Sequence, residues 1–459
     1  MTRSLVACVD FGSTFTKAAL VDTGTGSLVA TASHRTTVDT DVMDGWEACL
    51  AVLAEADPAA REAEVLACSS AGGGLRVAVV GNEELVTAEA GRRVALSSGG
   101  RVVHVASGRL DPTRLAALEP SRPDVVLLVG GTDGGNAEVL LSCAAALATA
   151  RWAGPVVVAG NVEARPDVAD LLDGAGTPYV LADNVVPRIG VLAPDSARAA
   201  IREMFLRHVI GGKHLSERAD FTAMVQGATP DVVLTAVELL ARGIDEEHHG
   251  AGDVVVVDVG GATTDVYSVV EVDPEDAGLS RQVVATIPAS RTVEGDLGMR
   301  WSAESTAEAG VLAGLLDDPA VRGSVQAVSR HRAAHPDHVP ANVEELHHDQ
   351  QLASVAIGVA LRRHAGRAQV VFGPDGRVVE RTGKDLREVD LLVGSGGVLR
   401  HSGDEAAGVL TRLLGDDGQG WQLPQHPRAV LDGDYVLAPA GLLAGRHPRA
   451  AHRLLRRLL

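Results

Sequence analysis

Apolar runs of strand length alternate along the chain with glycine-rich turns and with longer amphipathic segments. The runs Leu5–Val9 and Val254–Val257 have the length and composition of buried strands. Each run leads into an aspartate and a glycine-rich turn, Asp10–Lys17 and Asp258–Asp265. Strands that alternate with helical segments are typical of proteins in which helices cover a mainly parallel sheet. The pattern therefore predicts an α/β fold.

The order of the predicted elements divides the chain into two halves. The first half opens with a predicted three-stranded meander at residues 3–9, 17–22 and 27–32. The segment Ile210–His214 is predicted to separate the halves, and residues 302–365 of the second half are predicted to be mainly helical.

The two aspartate–glycine turns have the composition of phosphate-binding turns. Glycine lets the backbone approach a ligand closely, and hydroxyl groups and turn N–H groups can bind phosphate oxygens. An aspartate at the end of a strand is placed to hold Mg²⁺ directly or through a water molecule, since Mg²⁺ takes few carboxylates and keeps several waters. Two such turns, about half a chain apart, indicate a duplicated nucleotide clamp.

A second pair of motifs supports the duplication. Leu127–Gly131 follows the first turn and Leu391–Gly397 follows the second, and each is a strand that runs into a glycine turn. We interpret each half as an α/β lobe, with a cleft between the lobes. The alternative is chance, because strand–glycine–helix units are common in α/β proteins.

These motifs resemble the actin-like ATPase superfamily, which includes actin, heat-shock chaperones, sugar kinases and activators of 2-hydroxyacyl-CoA dehydratases. The resemblance identifies the turn after Asp10 as the phosphate-1 motif, the turn after Asp258 as phosphate-2, and Gly394–Gly397 as the adenosine motif. It implies two duplicated actin-like, ribonuclease H-like lobes around a nucleotide cleft. The expected lobes are residues 1–212 and residues 213–459, the second ending in a short C-terminal helix.

A narrower resemblance rests on two further segments, Val126–Asn136 and Glu294–Arg300. With the phosphate motifs, they resemble the glutamate mutase L family, from about residue 3 to about residue 445. This MutL-type accessory protein is encoded beside the subunits of an adenosylcobalamin-dependent mutase and is unrelated to the mismatch-repair protein of the same name. The implied function is an ATP-binding, slowly hydrolysing chaperone or reactivating factor for a glutamate (methylaspartate) mutase, whose subunits would be its partners.

The resemblance also implies roles for individual residues. Asp10 and Asp258 would bind Mg²⁺, directly or through water, and orient a water molecule toward the γ-phosphate of ATP. Lys17 would offset charge near the β-phosphate, and three glycines of the adenosine motif would let adenine and ribose lie against the backbone: Gly394, Gly396 and Gly397. The remaining phosphate contacts are expected from Gly12, Ser13, Thr14, Gly260, Gly261, Ala262 and Thr263.

Four charged residues near these motifs keep open roles. Asp265 either faces the ligand or accepts a hydrogen bond from Thr263 or from a backbone N–H group. Glu294 and Asp296 either assist Mg²⁺ or water, or Arg300 pairs with Glu294 at the start of a helix.

Two enzyme classes remain as alternatives. A hydantoinase- or oxoprolinase-like ATP-dependent hydrolase carries a similar second turn, and a small-molecule kinase shares the fold. A kinase needs a base for the acceptor hydroxyl, and the sequence does not identify one. Whether the chain is an enzyme, a Mg-dependent ATPase in a chaperone-like role, stays open, as do the client protein and the oligomeric state.

Composition excludes several classes. A chain of 459 residues suits two or three domains. The net charge is −19, and a duplex-binding protein needs a basic stripe, so nucleic acid is not an expected partner. No apolar run is long enough for a membrane span and no targeting signal precedes the first strand, which predicts a cytoplasmic protein. The four cysteines are widely spaced without a C-x-x-C pair, which argues against a disulfide framework, a zinc site or an iron–sulfur cluster.

Two polar segments have competing interpretations. A group of histidines in the second half suggests metal binding, but their spacing favours solvated side chains on a polar connection: His331, His335, His338, His347 and His348. At the C-terminus, arginines lie opposite leucines over a short stretch, which favours a docked terminal helix over a membrane-surface helix.

Overall fold

The computed structural model describes residues 4–271, 288–373, 376–415 and 419–459. Among these residues, the contacts divide the chain into two compact units. The first unit comprises residues 4–235 and 438–451, and the second comprises residues 236–437 and 452–459.

A five-stranded sheet in the first unit carries the first aspartate. Its strand order is β10-β4-β1-β2-β3. Strand β2 is antiparallel to β1 and β3, whereas β4 is parallel to both β1 and β10. The strands are β1 (Leu5–Phe11), β2 (Phe15–Asp22), β3 (Ser27–Arg35), β4 (Glu64–Ser69) and β10 (Val225–Ala228).

A sheet of the same design in the second unit carries the second aspartate. Its order is β15-β14-β13-β18-β19, with the same strand directions as the first sheet. The strands are β13 (Val254–Val259), β14 (Thr264–Val269), β15 (Ala289–Glu294), β18 (Leu391–Ser395) and β19 (Arg428–Leu431). The α/β class and the duplicated lobes that the sequence predicted are thus confirmed.

The strand registers correct one part of the predicted duplication. Strand β18 pairs in parallel with β13, and the strand in the corresponding place beside β1 is β4. Asp10 lies opposite Cys68 of β4, and Asp258 lies opposite Ser395 of β18. The pairing of Leu127–Gly131 with Leu391–Gly397 is therefore wrong: the counterpart of the adenosine motif is the turn after Ser69, and residues 127–131 belong to a different sheet.

That different sheet is inserted between β4 and β10. Its strands are all parallel and run in the order β6-β5-β7-β8-β9. Numbered from its own first strand, this is the doubly wound order 2-1-3-4-5. The strands are β5 (Leu75–Gly81), β6 (Gly100–Ser107), β7 (Val125–Leu128), β8 (Val156–Val158) and β9 (Tyr179–Leu181).

The inserted sheet also changes the expected boundary between the lobes. Residues 210–214 lead from the inserted segment back to β10, which belongs to the first sheet. The predicted division at residue 212 is therefore too early, because local composition cannot show that a chain returns to an earlier sheet.

Two helices of the first unit begin with aspartate caps. The carboxylate of Asp41 accepts a hydrogen bond from the Met43 N–H at the start of α1, and Asp111 caps α3 in the same way. The helices are α1 (Val42–Ala56), α2 (Glu89–Ser97), α3 (Pro112–Leu118), α4 (Glu138–Thr149), α5 (Arg165–Ala175), α6 (Asp195–Met204), α7 (Ile210–Gly212), α8 (Ala219–Met224) and α9 (Thr229–Arg242), the last extending into the second unit.

The second unit is mainly helical between β15 and β16, as predicted. Asp318 and Asn342 cap its two longer helices. Its helices are α10 (Ala303–Leu312), α11 (Pro319–Ala334), α12 (Val343–His364), α13 (Gly397–Arg400) and α14 (Ala406–Thr411). After β19, α15 (Leu437–Ala444) belongs almost wholly to the first unit, and α16 (Pro448–Leu455) is divided between the two units. Two hairpins complete the strands: β11 (Gly243–Asp245) with β12 (His248–His249), and β16 (Arg367–Gly373) with β17 (Gly376–Thr382).

Alternation along the inserted strands builds a core on both faces of their sheet. Val125 and Leu127 of β7 join the cluster that also contains Val9 of β1, whereas Val126 and Leu128 join a cluster with residues of α4 and α5. Consecutive side chains of a strand point to opposite faces, so an unbroken apolar run is covered on both sides. The two sheets of the first unit therefore share one apolar core.

The burial of the C-terminal residues agrees with the predicted docking of a short terminal helix. Leu454, Leu455 and Leu458 are buried, and Leu459 is exposed. No helix within the described ranges combines the length and the apolar character needed to cross a membrane.

Candidate functional site

The phosphate-1 turn joins β1 to β2 through a hydrogen bond that only glycine permits. The N–H of Gly12 donates to the carbonyl of Phe15 at 3.1 Å, and a Cβ on Gly12 would lie 2.6 Å from that oxygen. Ser13 is exposed and Thr14 is half-buried at the tip. The Thr36 hydroxyl braces the turn by donating to the Gly12 carbonyl at 2.8 Å. The tip therefore presents a hydroxyl to solvent from a fixed backbone.

The phosphate-2 turn repeats this geometry between β13 and β14. The N–H of Gly260 donates to the carbonyl of Thr263 at 2.9 Å, and a Cβ on Gly260 would also lie 2.9 Å from that oxygen. Gly261 and Ala262 form the tip and are half-buried. The two predicted phosphate turns are thus one structural element used twice.

Asp10 lies at the end of β1, immediately before the phosphate-1 turn, and is half-buried. The Thr229 hydroxyl donates to its Oδ1 at 2.6 Å, and the Cys68 thiol donates to the same oxygen at 3.6 Å. Burial raises the pKa of Asp10, while the charge of Lys17 and the two hydrogen bonds act in the opposite direction. Lys17 is its cross-strand neighbour, which agrees with a cation placed beside this carboxylate.

Asp258 is half-buried at the corresponding position of β13, and its cross-strand neighbour is Asp265. Asp265 accepts hydrogen bonds from Arg291 Nε at 2.9 Å and from the Thr263 hydroxyl at 3.3 Å. The predicted link between Asp265 and Thr263 is present, and Arg291 of β15 adds an ion pair that the sequence did not indicate. Asp265 therefore supports the sheet beside the turn.

The adenosine motif packs tightly where it meets β13. Gly396 has φ of +107°, and a Cβ there would overlap the Val259 carbonyl oxygen. A Cβ on Gly394 would lie 2.8 Å from Leu399. Gly397 is exposed, with nothing near the position of an added Cβ. Glycine is therefore required by packing at positions 394 and 396, whereas position 397 is open.

One feature beside this motif was missed from the sequence. Arg400 lies one helical turn after Gly396, and its guanidinium stacks over the Tyr435 ring at 4.7 Å. These two residues are distant in the sequence, so no local signal could have joined them.

The segment Glu294–Arg300 lies along the phosphate-2 turn. The N–H of Met299 donates to the Gly260 carbonyl at 3.0 Å, and the N–H of Arg300 donates to the Gly261 carbonyl at 2.7 Å. A Cβ on Gly298 would lie 2.7 Å from the Gly261 oxygen, so glycine is needed for this close approach. The segment therefore fixes the shape of the turn from behind.

The charged residues of this segment have partners that differ from those predicted. Arg363 of α12 donates to Glu294 at 2.7 Å and to Asp296 at 2.6 Å. Arg300 instead donates to the His338 carbonyl and to the buried Asp349, each at 3.0 Å. The predicted alternative in which Arg300 pairs with Glu294 is therefore wrong.

Trp301 was also missed, although it lies beside the phosphate-2 turn. Its side chain is 57% exposed, and its ring would lie 3.2 Å from a Cβ on Gly261. The available signal was the rarity of tryptophan, of which the chain has four.

The glycine-rich segment that follows β7 is held by its own polar groups. Asp133 accepts hydrogen bonds from the Asn184 amide at 2.9 Å and from the Val162 N–H at 3.1 Å. Asn184 also donates to Gly131, and Asn161 donates to Gly135, at 2.9 and 3.0 Å. These bonds give the Val126–Asn136 motif a structural role at the carboxyl end of the inserted sheet.

The predicted histidine group divides into two places. The His331 ring stacks on His335 at 4.6 Å and contacts His338 edge-on at 5.2 Å, while His347 and His348 lie on α12. His338 contacts Glu345 at 3.2 Å. Within the described part of the chain, no three His, Cys, Asp or Glu side chains are grouped as metal ligands.

Comparison with known proteins identifies the family. A family model described as "MutL protein" matches residues 6–459. The chain belongs to the MutL protein family. Protein MutL of Clostridium tetanomorphum is 38% identical over 457 residues, which cover 98% of each chain. The family to which the sequence motifs pointed is therefore confirmed.

Solved structures resemble this MutL family member only distantly. The activator of the 2-hydroxyisocaproyl-CoA dehydratase from Clostridium difficile, with bound ADPNP, is 10% identical with a TM-score of 0.34, over 97% of this chain and 95% of that chain. A carbohydrate kinase from Novosphingobium aromaticivorans is 15% identical with a TM-score of 0.31, over 97% and 92%. Similarity at this level transfers no ligand and no activity.

The Arg363 contacts predict a pH-dependent contribution to stability. Arg363 lowers the pKa of Asp296, so this pair stabilises the fold above the ordinary aspartate pKa and loses that effect as the pH falls through the lowered value. Burial raises the pKa of Glu294 even with Arg363 present, so the substitution Arg363→Ala should leave a charged, half-buried Glu294 without its cation near neutral pH.

We expect R363A to lose about 1 kcal/mol in the free energy of unfolding at pH 7, a modest value because Arg363 and Asp296 are partly exposed. The difference from wild type should shrink as the pH falls, first as Glu294, whose pKa is raised, becomes protonated and then as Asp296, whose pKa is lowered, becomes protonated. Urea unfolding between pH 3 and pH 7 measures this. Arg330→Ala, an exposed arginine on α11, is the control. A loss that does not change with pH would contradict the assignment.

Proposed function

We propose that this MutL family member binds ATP with Mg²⁺, hydrolyses it slowly, and acts as a chaperone or reactivating factor for an adenosylcobalamin-dependent glutamate (methylaspartate) mutase. The observation that carries the proposal is the repeated hairpin: the same glycine turn follows a half-buried strand-end aspartate in both units. A turn that combines a carboxylate with a tip of small residues is better explained by phosphate binding than by a purely structural role. Two copies of it would bind two parts of a polyphosphate chain.

The phosphate contacts follow from what each tip exposes. Ser13 and Thr14 offer hydroxyls and N–H groups in the first turn, and Gly261, Ala262 and Thr263 offer the same kind of groups in the second. Gly12 and Gly260 are required by the turns themselves. Lys17 is the cross-strand neighbour of Asp10 and supplies positive charge in the first turn, whereas its counterpart in the second turn is acidic.

The carboxylates fit Mg²⁺ in number and kind. Mg²⁺ in nucleotide sites takes one or two carboxylates together with phosphate oxygens and waters, and Asp10 and Asp258 each supply one carboxylate. Both hydrogen bonds on Asp10 go to Oδ1, which leaves Oδ2 for the metal or its water. When bound, Mg²⁺ neutralises charge on the phosphates.

The adenosine end is assigned to Gly394, Gly396 and Gly397. The first two are required for close packing of β18 against its neighbours, and the open Gly397 lets a flat ligand approach the backbone. The Arg400–Tyr435 stack lies one helical turn away and offers a planar surface.

Membership of the family favours an accessory, chaperone-like role over a kinase. Membership of the MutL family supports a mutase as the partner. ATP would then bias the protein between states that contact the partner differently.

Removing either carboxylate should weaken the binding of Mg·ATP. In Asp10→Asn and Asp258→Asn, Mg·ATP at 100 times the wild-type Kd should stabilise the fold far less than the roughly 2.7 kcal/mol expected for wild type, because an uncharged amide oxygen binds Mg²⁺ more weakly than a carboxylate does. Thermal unfolding with and without Mg·ATP measures the effect, and Mg²⁺-dependent ATPase activity should fall with it. Asp39→Asn, an exposed aspartate outside the turns, is the control. Full stabilisation of either variant by Mg·ATP would contradict the role of that carboxylate.

A partner protein should change the rate of ATP hydrolysis, whereas a small molecule should not. Addition of the cobalamin-dependent mutase should alter the basal ATPase rate several-fold and restore activity to inactivated mutase, because a bound protein favours one nucleotide state. Sugars, hydantoins and oxoproline should leave the rate unchanged. The Asp10→Asn variant controls for contaminating ATPases. Stimulation by one small metabolite with stoichiometric product would instead indicate a kinase or a ring-opening hydrolase.

A further inference from the structure

Three neighbouring strand ends of the first sheet converge on one carboxylate oxygen. Asp10 is the penultimate residue of β1, Cys68 is its partner on β4, and Thr229 follows β10. The Thr229 hydroxyl lies 2.6 Å from Asp10 Oδ1, and the Cys68 sulfur lies 3.6 Å from the same atom. Because β10 is separated from β1 by β4, the hydroxyl reaches across the end of the intervening strand.

Both hydrogen bonds act on Oδ1 and neither acts on Oδ2. The oxygen–oxygen distance of 2.6 Å is that of a hydrogen bond to a charged acceptor, which is the stronger kind. The longer thiol contact is the weaker of the two, since a thiol is a poor donor. With Oδ1 held, rotation of the carboxylate is restricted and Oδ2 keeps one direction.

The backbone around Thr229 is itself well fixed. Strand β10 ends at Ala228 and helix α9 begins at Thr229, so no loop residue separates the two elements. Pro230 occupies the next position, which suits the first turn of a helix. The hydroxyl is therefore placed by a strand on one side and a helix on the other.

The second half of the chain uses the equivalent position differently. The residue that follows β19 is Asp432, and its carboxylate accepts from the N–H groups of Val436 and Leu437 at 2.7 and 3.2 Å. Ser395 stands in the place of Cys68. The threonine clamp on a strand-end aspartate thus distinguishes the first half from the second.

We propose that Thr229 is a positioning residue of the metal site, which holds Asp10 through Oδ1 and so presents Oδ2 to Mg²⁺ or to a water of its shell. The inference rests on the proposed nucleotide site and adds to it a residue outside every motif that the sequence indicated. Thr229 acts through Asp10 and itself touches neither metal nor nucleotide.

Loss of the hydroxyl has a predictable geometric consequence. The groups that face Asp10 are Lys17 on β2, Cys68 on β4 and Thr229 at the start of α9. Without the Thr229 hydroxyl, the long and weak thiol contact is left to hold Oδ1, so the carboxylate can rotate and Oδ2 loses its fixed direction. Mg²⁺ binding should weaken as a result.

The test compares Thr229→Val, which keeps the shape and removes the hydroxyl, with Thr229→Ser, which keeps the hydroxyl. Thr235→Val is the matched control, since this threonine lies on the same helix and donates only to the Asp231 carbonyl. In T229V, the Mg²⁺ concentration for half-maximal stabilisation by ATP should rise about tenfold, because the carboxylate is no longer held in place for the metal. T229S should restore the wild-type Mg²⁺ dependence, T235V should not change it, and ATP affinity in EDTA should stay within about twofold.

A second measurement separates this inference from the nucleotide proposal. The orientation of the Asp10 carboxylate is read from crystal structures of nucleotide-free wild type, T229V, T229S and T235V. A carboxylate that rotates away in T229V but not in T229S or T235V supports the clamp even if wild type fails to bind ATP, a failure that would refute the nucleotide proposal alone. An unmoved carboxylate in T229V, or an equal loss of Mg²⁺ affinity in T235V, would overturn the inference.

Discussion

The structure depends on a turn in which a carbonyl oxygen lies too close to a glycine for that residue to carry a side chain. Gly12 and Gly260 each donate to the carbonyl three residues ahead, and that oxygen lies 2.6 or 2.9 Å from where a Cβ would stand. An L-residue with a side chain would have to push this oxygen away. The turn fixes the direction of the next strand and keeps Asp10 and Asp258 at the very end of the preceding one. Everything proposed for the phosphates and the metal follows from those two carboxylates being held at fixed strand ends.

The two copies of this hairpin have diverged in what surrounds them. The cross-strand neighbour of the first aspartate is Lys17, and that of the second is Asp265, which is bound by Arg291. The Thr36 hydroxyl braces the first copy, whereas the second is braced by the backbone N–H groups of Met299 and Arg300 and by the Ser302 hydroxyl, which donates to the Ala262 carbonyl at 2.7 Å. The second is part of a larger helical unit in which Arg300 and Arg363 connect the turn region to α12.

Local patterns predicted the parts of the fold that are determined locally. The hairpins, the opening meander and the helical stretch of the second unit were evident because turn glycines, apolar runs and amphipathic periods are short-range signals. The return of the chain to β10 after the inserted sheet was not evident from the sequence, because the residues near position 225 do not indicate which sheet the strand joins. The counterpart of Leu391–Gly397 in the first half was misassigned for the same reason. Both sheets of the first unit contain a strand that runs into a glycine turn, and the sequence does not show which of the two corresponds. The ion pairs of Arg300 and Arg363 and the hydroxyl of Thr229 depend on contacts between distant segments, which composition and spacing do not encode.

The most direct test of the metal-and-nucleotide assignment is anomalous diffraction from crystals grown with a non-hydrolysable ATP analogue and Mn²⁺ in place of Mg²⁺. A manganese peak is predicted at Oδ2 of Asp10, either about 2.1 Å away or one water molecule further out, with the phosphates against the Ser13–Thr14 tip. A bound analogue whose metal lies away from both carboxylates, or whose phosphates avoid both turns, would contradict the assignment.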